Sequence, residues 1–112
     1  MKIVTEISLT DLKKMSENFF GNMVKAVVDI EQNLIAVDAE LHSDLEALLL
    51  ENGSQQKNLW GINFYPEETA DFLEFDSMIN IRPSQNNFSR GVESETIRQQ
   101  IEQLIKNQVK ND

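Results

Sequence analysis

The stretch from residue 82 to residue 91 carries the side chains best suited to bind a ligand. It contains no acid, although the chain has 19 Asp and Glu against 10 Lys and Arg. Polar loops on a rigid scaffold commonly carry function. The stretch therefore predicts a binding loop, and the side chains expected to contact a ligand or partner are Arg82, Ser84, Gln85, Asn87 and Arg90.

The two arginines of this loop admit two interpretations. Guanidinium groups bind phosphates and carboxylates through paired N–H donors, and a helix that starts just after the loop would add free backbone N–H groups. Arg82 and Arg90 would then hold a small anion or a nucleotide, although nothing here matches a Walker or dinucleotide fingerprint. Alternatively, both arginines anchor the loop to acids such as Glu74, Asp76 or Glu93.

A second candidate site is a polar face of the predicted sheet. Asn63 and Tyr65 alternate with apolar residues along one predicted strand, and Asn80 and Arg82 do so along the next, which should span residues 72–82. Because these strands would pair, the four side chains should lie close together on the face that no helix covers. Three interpretations stay open: an ordinary solvated face, a partner-binding surface, or a dimer interface.

The only histidine of the chain belongs to a third candidate set, formed by Asp38, Glu40 and His42. Alternate residues of an extended segment point the same way, and carboxylates with an imidazole suit a divalent cation. This set would serve a metal-assisted hydrolase. Asp44 should turn away, because Ser43 is expected to start a helix. A lone histidine at such a junction is also compatible with a surface or packing role.

Motifs that identify a reaction are absent. The chain has no cysteine, which excludes thiol nucleophiles, disulfides and thiolate metal sites. No serine or aspartate stands at a recognisable spacing from the histidine for nucleophilic catalysis. The residues favour a non-enzymatic binding or protein-interaction module over an enzyme, with a protein partner or a second copy of the chain as its target. They specify no cofactor.

The net charge of −9 argues against nucleic acid as a partner, because phosphate binding needs a basic footprint. No basic residue occurs between Lys25 and Lys57. That acidic zone either meets a basic partner or is a solvated face. No apolar run approaches the roughly 20 residues that span a bilayer, and the N-terminus lacks the apolar core of a signal peptide. A cytoplasmic protein without membrane contact is expected.

Three helices are expected. The first should begin after the N-cap Ser8 and extend its apolar side to Phe19. The second should open with a capping box at residues 43–46 and end at Gly53. The third should begin near Ser94 and carry an apolar stripe at helical spacing, formed by Ile97, Ile101, Leu104 and Ile105.

Alternating apolar residues predict two β-hairpins between these helices, one around Gln32-Asn33 and one around residues 66–71. Each strand has one apolar face, which is typical of a sheet that helices cover from one side. The order helix, hairpin, helix, hairpin, helix over residues 1–112 predicts a single α+β domain. Its expected architecture is a two-layer sandwich with a mainly antiparallel sheet of four to five strands and three helices on one face.

Six segments of the chain carry a family resemblance: Lys25-Ala26-Val27-Val28-Asp29-Ile30-Glu31, Glu40-Leu41-His42, Leu48-Leu49-Leu50-Glu51, Leu59-Trp60-Gly61-Ile62-Asn63, Tyr65-Pro66 and Ile79-Asn80-Ile81-Arg82-Pro83. They resemble a family of short uncharacterised prokaryotic proteins, classed as a domain of unknown function, over most of the chain. The resemblance implies a single-domain protein of a prokaryotic cytosol. It carries over no activity, cofactor or catalytic residue.

Overall fold

The computed structural model describes residues 1–112. It contains three α-helices and seven short strands. In chain order the elements are β1 (Lys2–Val4), β2 (Ile7–Ser8), α1 (Leu9–Ser16), β3 (Val24–Asp29), β4 (Leu34–Val37), α2 (His42–Glu51), β5 (Leu59–Phe64), β6 (Leu73–Glu74), α3 (Glu95–Gln108) and β7 (Val109–Lys110).

Five strands form one antiparallel sheet in the order β1-β4-β3-β5-β6. The central strand β3 places Val27 opposite both Ala36 of β4 and Gly61 of β5. Both predicted hairpins are confirmed, since β3 pairs with β4 and β5 pairs with β6. In the first hairpin Asn33 takes a φ of 56°, a left-handed conformation that asparagine tolerates in turns.

A second, two-stranded sheet joins the two ends of the chain. The strands β2 and β7 pair in parallel, with Ile7 opposite Val109. Sequence periodicity does not predict this pair, because two residues are too few to show an alternation. The pairing fixes the start of α1 beside the end of α3.

One face of the sheet packs against α1 and α3. Its side chains alternate along each strand, as the sequence pattern predicts. They form the larger hydrophobic core with Leu12 and Met15 of α1 and with three side chains of α3. The sheet and α3 residues of this core are Val24, Ala26, Val28, Ile35, Val37, Trp60, Ile62, Phe64, Ile101, Leu104 and Ile105.

The second helix lies against the other face of the sheet. Leu45 and Leu49 of α2 are completely buried and pack in a smaller core with Val27 and Ala36, whose side chains point away from α1 and α3. The α+β class, the three helices and the five-stranded antiparallel sheet are confirmed, but α2 does not share the face of the other two helices. The physical reason is Val27, an apolar residue on the polar side of β3 that requires cover.

The strand predicted over residues 72–82 is much shorter than expected. β6 ends at Glu74, and Ser77 then caps a 3-10 turn over Met78–Asn80. This turn lies directly on Gly61 of β5, where an added Cβ would come within 2.4 Å of the Ser77 Cβ. The absence of a side chain on Gly61 therefore lets the chain leave the sheet and fold back over it.

Two of the three predicted helix starts are confirmed. Ser8 accepts a hydrogen bond from the N–H of Asp11 at 3.0 Å, and Ser94 accepts one from the N–H of Ile97 at 3.3 Å. Phe19 does not continue the buried side of α1, which ends three residues earlier, and its side chain is 50% exposed.

The capping box predicted at residues 43–46 is wrong. The helix α2 begins at His42, one residue before the predicted N-cap, and its actual N-cap residue Leu41 makes no side-chain hydrogen bond. None of the three helices has both the length and the apolar character that crossing a membrane requires.

Candidate functional site

The segment that follows β6 is held on the sheet by the side chain of Asn80. Its Oδ1 accepts a hydrogen bond from the Gly61 N–H at 2.8 Å, and its Nδ2 donates to the Gly61 carbonyl at 2.9 Å. Nδ2 also donates to the Arg90 carbonyl at 2.9 Å. A carboxamide has the same donor and acceptor as a peptide group. The Asn80 side chain therefore forms with β5 the hydrogen bonds that a neighbouring strand would form, at a position beyond the end of β6.

Asn87 closes the loop in a similar way. Its Nδ2 donates to the carbonyls of Asn80 at 2.7 Å and Gly91 at 2.8 Å, and its Oδ1 accepts from the Glu93 N–H at 2.9 Å. Asn87 is 2% exposed, so these bonds satisfy a side chain that would otherwise be costly to bury. This residue, predicted as a binding residue, is an internal support of the loop.

Arg82 is also engaged inside the protein. Its guanidinium lies 4.2 Å from the centre of the Trp60 ring and donates to the Leu59 carbonyl at 2.6 Å and to the Gln56 carbonyl. Burial lowers the pKa of Arg82, and the Glu46 carboxylate opposes that effect. The cation thus stabilises the edge of β5 through stacking and charge-assisted hydrogen bonds.

Arg90 has a different partner from Arg82 and pairs with an acid. Its Nε donates to Asp76 Oδ1 at 2.6 Å. The two side chains form the single ion pair of this structure. This hydrogen bond and the charge of Asp76 raise the pKa of Arg90. The two arginines therefore have different partners. Arg90 binds an acid, as the loop-anchoring interpretation describes, whereas Arg82 binds backbone carbonyls and the Trp60 ring.

The apolar side chains of the same segment face outward. Arg82 and Asn87 form an antiparallel bridge, and both side chains are buried, so the flanking residues Ile81 and Phe88 project from the opposite side. Phe88 is 64% exposed and Ile81 39%. Met78, whose carbonyl accepts the N–H of Ile81 at 3.2 Å, is 64% exposed. We call these three side chains the loop patch.

Sequence reasoning missed most of the loop patch. A strand over residues 72–82 with Asn80 and Arg82 on its polar face places Met78 on that same face and Ile81 on the buried one. Only Phe88 carried a usable signal, because a phenylalanine within a polar loop either anchors that loop or is offered to a partner. Of the remaining predicted loop residues, Ser84 is exposed, and Gln85 donates to the Lys57 carbonyl at 3.1 Å.

The predicted group of Asn63, Tyr65, Asn80 and Arg82 is divided in the structure. Asn63 donates to Glu74 Oε1 at 2.9 Å, and the Tyr65 hydroxyl donates to the same oxygen at 3.0 Å. Burial, followed by the hydrogen bond and charge of Glu74, raises the pKa of Tyr65. These two residues form one cluster at the β5–β6 hairpin, while Asn80 and Arg82 belong to the loop.

The structure does not assemble Asp38, Glu40 and His42 into a ligand set. Asp38 accepts a hydrogen bond from Asn18 Nδ2 at 2.9 Å, and Glu40 is exposed. His42 Nε2 donates instead to the Ile62 carbonyl at 2.8 Å. No three His, Asp or Glu side chains lie close enough together to hold a metal ion. Burial lowers the pKa of His42, which favours the neutral ring.

A model of the family described as a protein of unknown function (DUF5674) matches residues 1–108, and the chain belongs to this family. The family predicted from the six segments is therefore confirmed. Comparison with curated proteins gave no match, and comparison with solved structures gave none either.

Proposed function

We propose that this member of the DUF5674 family is a non-enzymatic interaction module that binds a protein partner through the loop patch. The observation that carries the proposal is the contrast within one segment. Its polar side chains Asn80, Arg82 and Asn87 are buried, while its large apolar side chains are exposed: Met78, Ile81 and Phe88. Exposed apolar side chains that stand together commonly mark protein-interaction sites.

The hydrogen bonds of the loop support this proposal, because they hold the patch in one shape before binding. Asn80 ties the loop to β5, and Asn87 ties its two arms to each other. The Glu93 carboxylate also accepts from the backbone N–H of Phe88 and from that of Ser89 at 3.0 Å. A pre-organised surface loses less conformational entropy on association than a mobile one.

Charge favours a different protein over a second copy as the partner. Each copy carries a net charge of −9, so two copies repel each other. The two arginines near the patch do little to reduce this repulsion, because Arg82 is buried and Arg90 is paired with Asp76. The expected partner therefore has a basic surface beside an apolar pocket that accepts Phe88.

The test is affinity capture with three versions of the protein: wild type, Phe88→Ser and Phe19→Ser. Phe19 is the matched control, because it is 50% exposed and lies outside the loop patch. We expect wild type and Phe19→Ser to retain the same protein, which mass spectrometry identifies, and Phe88→Ser to lose it. With the purified partner, Phe88→Ser should bind at least about tenfold more weakly.

Thermal unfolding separates a binding defect from a folding defect. Both serine variants should keep the melting temperature of the wild type, since substitutions of exposed side chains typically change stability by less than about 0.5 kcal/mol. Equal retention of the partner by Phe88→Ser would contradict the proposed surface. Association of the wild type only with itself would contradict the proposed partner.

The anion-binding alternative has less support. It requires guanidinium groups free to contact phosphate, whereas Arg82 donates to two backbone carbonyls and Arg90 donates to Asp76. By contrast, Met78, Ile81 and Phe88 are exposed and can contact a partner without first losing a contact within the chain.

A further inference from the structure

A separate cleft lies on the side of the molecule covered by α1 and α3. It has a volume of about 460 Å³ and is bounded by α1, by the end of α3 and by the turn of the β5–β6 hairpin. Small-molecule sites commonly measure about 300–1,000 Å³. Several apolar side chains line it: Leu9, Pro66, Phe72, Ile105 and Val109.

Both signs of charge occur on the rim of this cleft. The helices contribute Lys13 and Lys106, and the hairpin turn contributes Glu67 and Glu68. All four side chains are exposed. None of them joins an ion pair within 4 Å, because the ion pair of this structure is formed by Arg90 and Asp76. Opposite charges therefore flank one apolar cleft without neutralising each other.

We infer that this cleft binds a small zwitterion with an apolar body, such as a short apolar peptide with free ends. Its ammonium group would lie at Glu67 and Glu68, its carboxylate at Lys13 and Lys106, and its side chains over the apolar lining. The two glutamates would repel a simple anion, and the two lysines would repel a simple cation. Neither ligand therefore complements both charged sides of the cleft. This inference is independent of the loop patch.

The test is a titration of the ¹⁵N-labelled protein, followed by NMR, with three probes that share the same two leucine side chains and differ at their ends. They are leucyl-leucine, its N-acetyl derivative and its C-terminal amide. We expect leucyl-leucine to shift the backbone amides of Leu9, Thr69 and Val109. Each blocked probe, having lost one charge, should bind at least about tenfold more weakly, which corresponds to about 1.4 kcal/mol.

Substitutions on the rim complete the test. Lys13→Ala and Glu68→Gln should weaken leucyl-leucine binding, whereas Lys14→Ala and Glu17→Gln should not. The control residues are exposed like the test residues but do not line the cleft, so neither pair should disturb folding. The inference is overturned if the three probes bind equally, if no amide at the cleft shifts at millimolar concentration, or if control and test variants respond alike.

Discussion

At the scale of single residues, asparagine side chains replace strand pairing in the segment after β6. Gly61 directs both its N–H and its carbonyl to Asn80, which offers one acceptor and one donor at matching positions. Both residues are buried, and Asn80 is completely inaccessible to solvent. Removal of this carboxamide would therefore leave backbone groups without a partner where water does not reach them.

The first prediction concerns this contact. Asn80→Ala should lower the free energy of unfolding by about 2–4 kcal/mol, because each buried polar group left unpaired costs about 1–3 kcal/mol. Urea unfolding measures the change. Ser84→Ala, in the same loop but exposed, should stay within about 0.5 kcal/mol of wild type. Equal stability of the two variants would show that Asn80 does not hold the loop.

His42 gives the second prediction, a dependence of stability on pH. Its ring contacts the Ile62 carbonyl, and its pKa is lowered from the ordinary value of 6.5 mainly by burial. Lys25 adds to this lowering, while the Ile62 carbonyl, Asn63 and Asp76 oppose it. The folded state therefore binds a proton less readily than the unfolded state does.

The sign of the effect follows from proton linkage. Well above pH 6.5 the ring is neutral in both states, so His42 adds no dependence on pH. As the pH falls below 6.5, the unfolded state takes up a proton first, and stability decreases until the lower pKa of the folded state is reached. The slope for one proton is at most about 1.4 kcal/mol per pH unit.

Urea unfolding at several pH values between 7 and 5 measures this slope. His42→Gln should remove part of the decrease, because glutamine can donate to the Ile62 carbonyl but does not titrate in this range. If the variant and the wild type lose stability equally on acidification, the lowered pKa of His42 is not the cause.

At the scale of elements, α2 is the one helix whose N-terminus has no side-chain cap. Ser8 and Ser94 provide side-chain caps for α1 and α3. Leu41 occupies the equivalent position of α2 in an extended conformation, with a φ of −120° and a ψ of 133°, and its side chain cannot accept a hydrogen bond. The N–H groups of the first turn of α2 therefore lack a side-chain acceptor.

The third prediction is that Leu41→Ser stabilises the protein by about 1 kcal/mol, the usual contribution of a serine N-cap. Its side chain is 52% exposed, so little apolar burial is lost. Leu50→Ser is the matched control, since Leu50 is 40% exposed on the same helix but does not cap it. Thermal unfolding should show a higher melting temperature for Leu41→Ser alone. A lower one would mean that Leu41 contributes apolar contacts that outweigh the cap.

At the scale of the whole molecule, the sequence predicts the sheet better than the loops. Two-residue alternation in β3, β4 and β5 predicts their faces, and the caps at Ser8 and Ser94 predict two helix starts. The sequence analysis does not predict the position of α2. Val27 was a signal for it, because Val27 is an apolar residue on the polar side of β3.

The loop site is the part that sequence periodicity could not predict. Residues 72–82 alternate as a strand does, yet the chain leaves the sheet after Glu74. That departure depends on residues that are distant in sequence. Gly61 has no side chain and so leaves room for Ser77, and its backbone N–H and carbonyl both bond to the Asn80 side chain. Alternation describes which side chains are apolar and carries no information about such contacts.

The central claim is that the loop patch binds another protein. Native mass spectrometry of untagged protein, purified gently from the cells that produce it, tests this claim most directly. We predict a species heavier than the 12.9 kDa chain by the mass of a different protein, and its loss in Phe88→Ser. A bare chain in the wild type, or the same complex in Phe88→Ser, would contradict the claim.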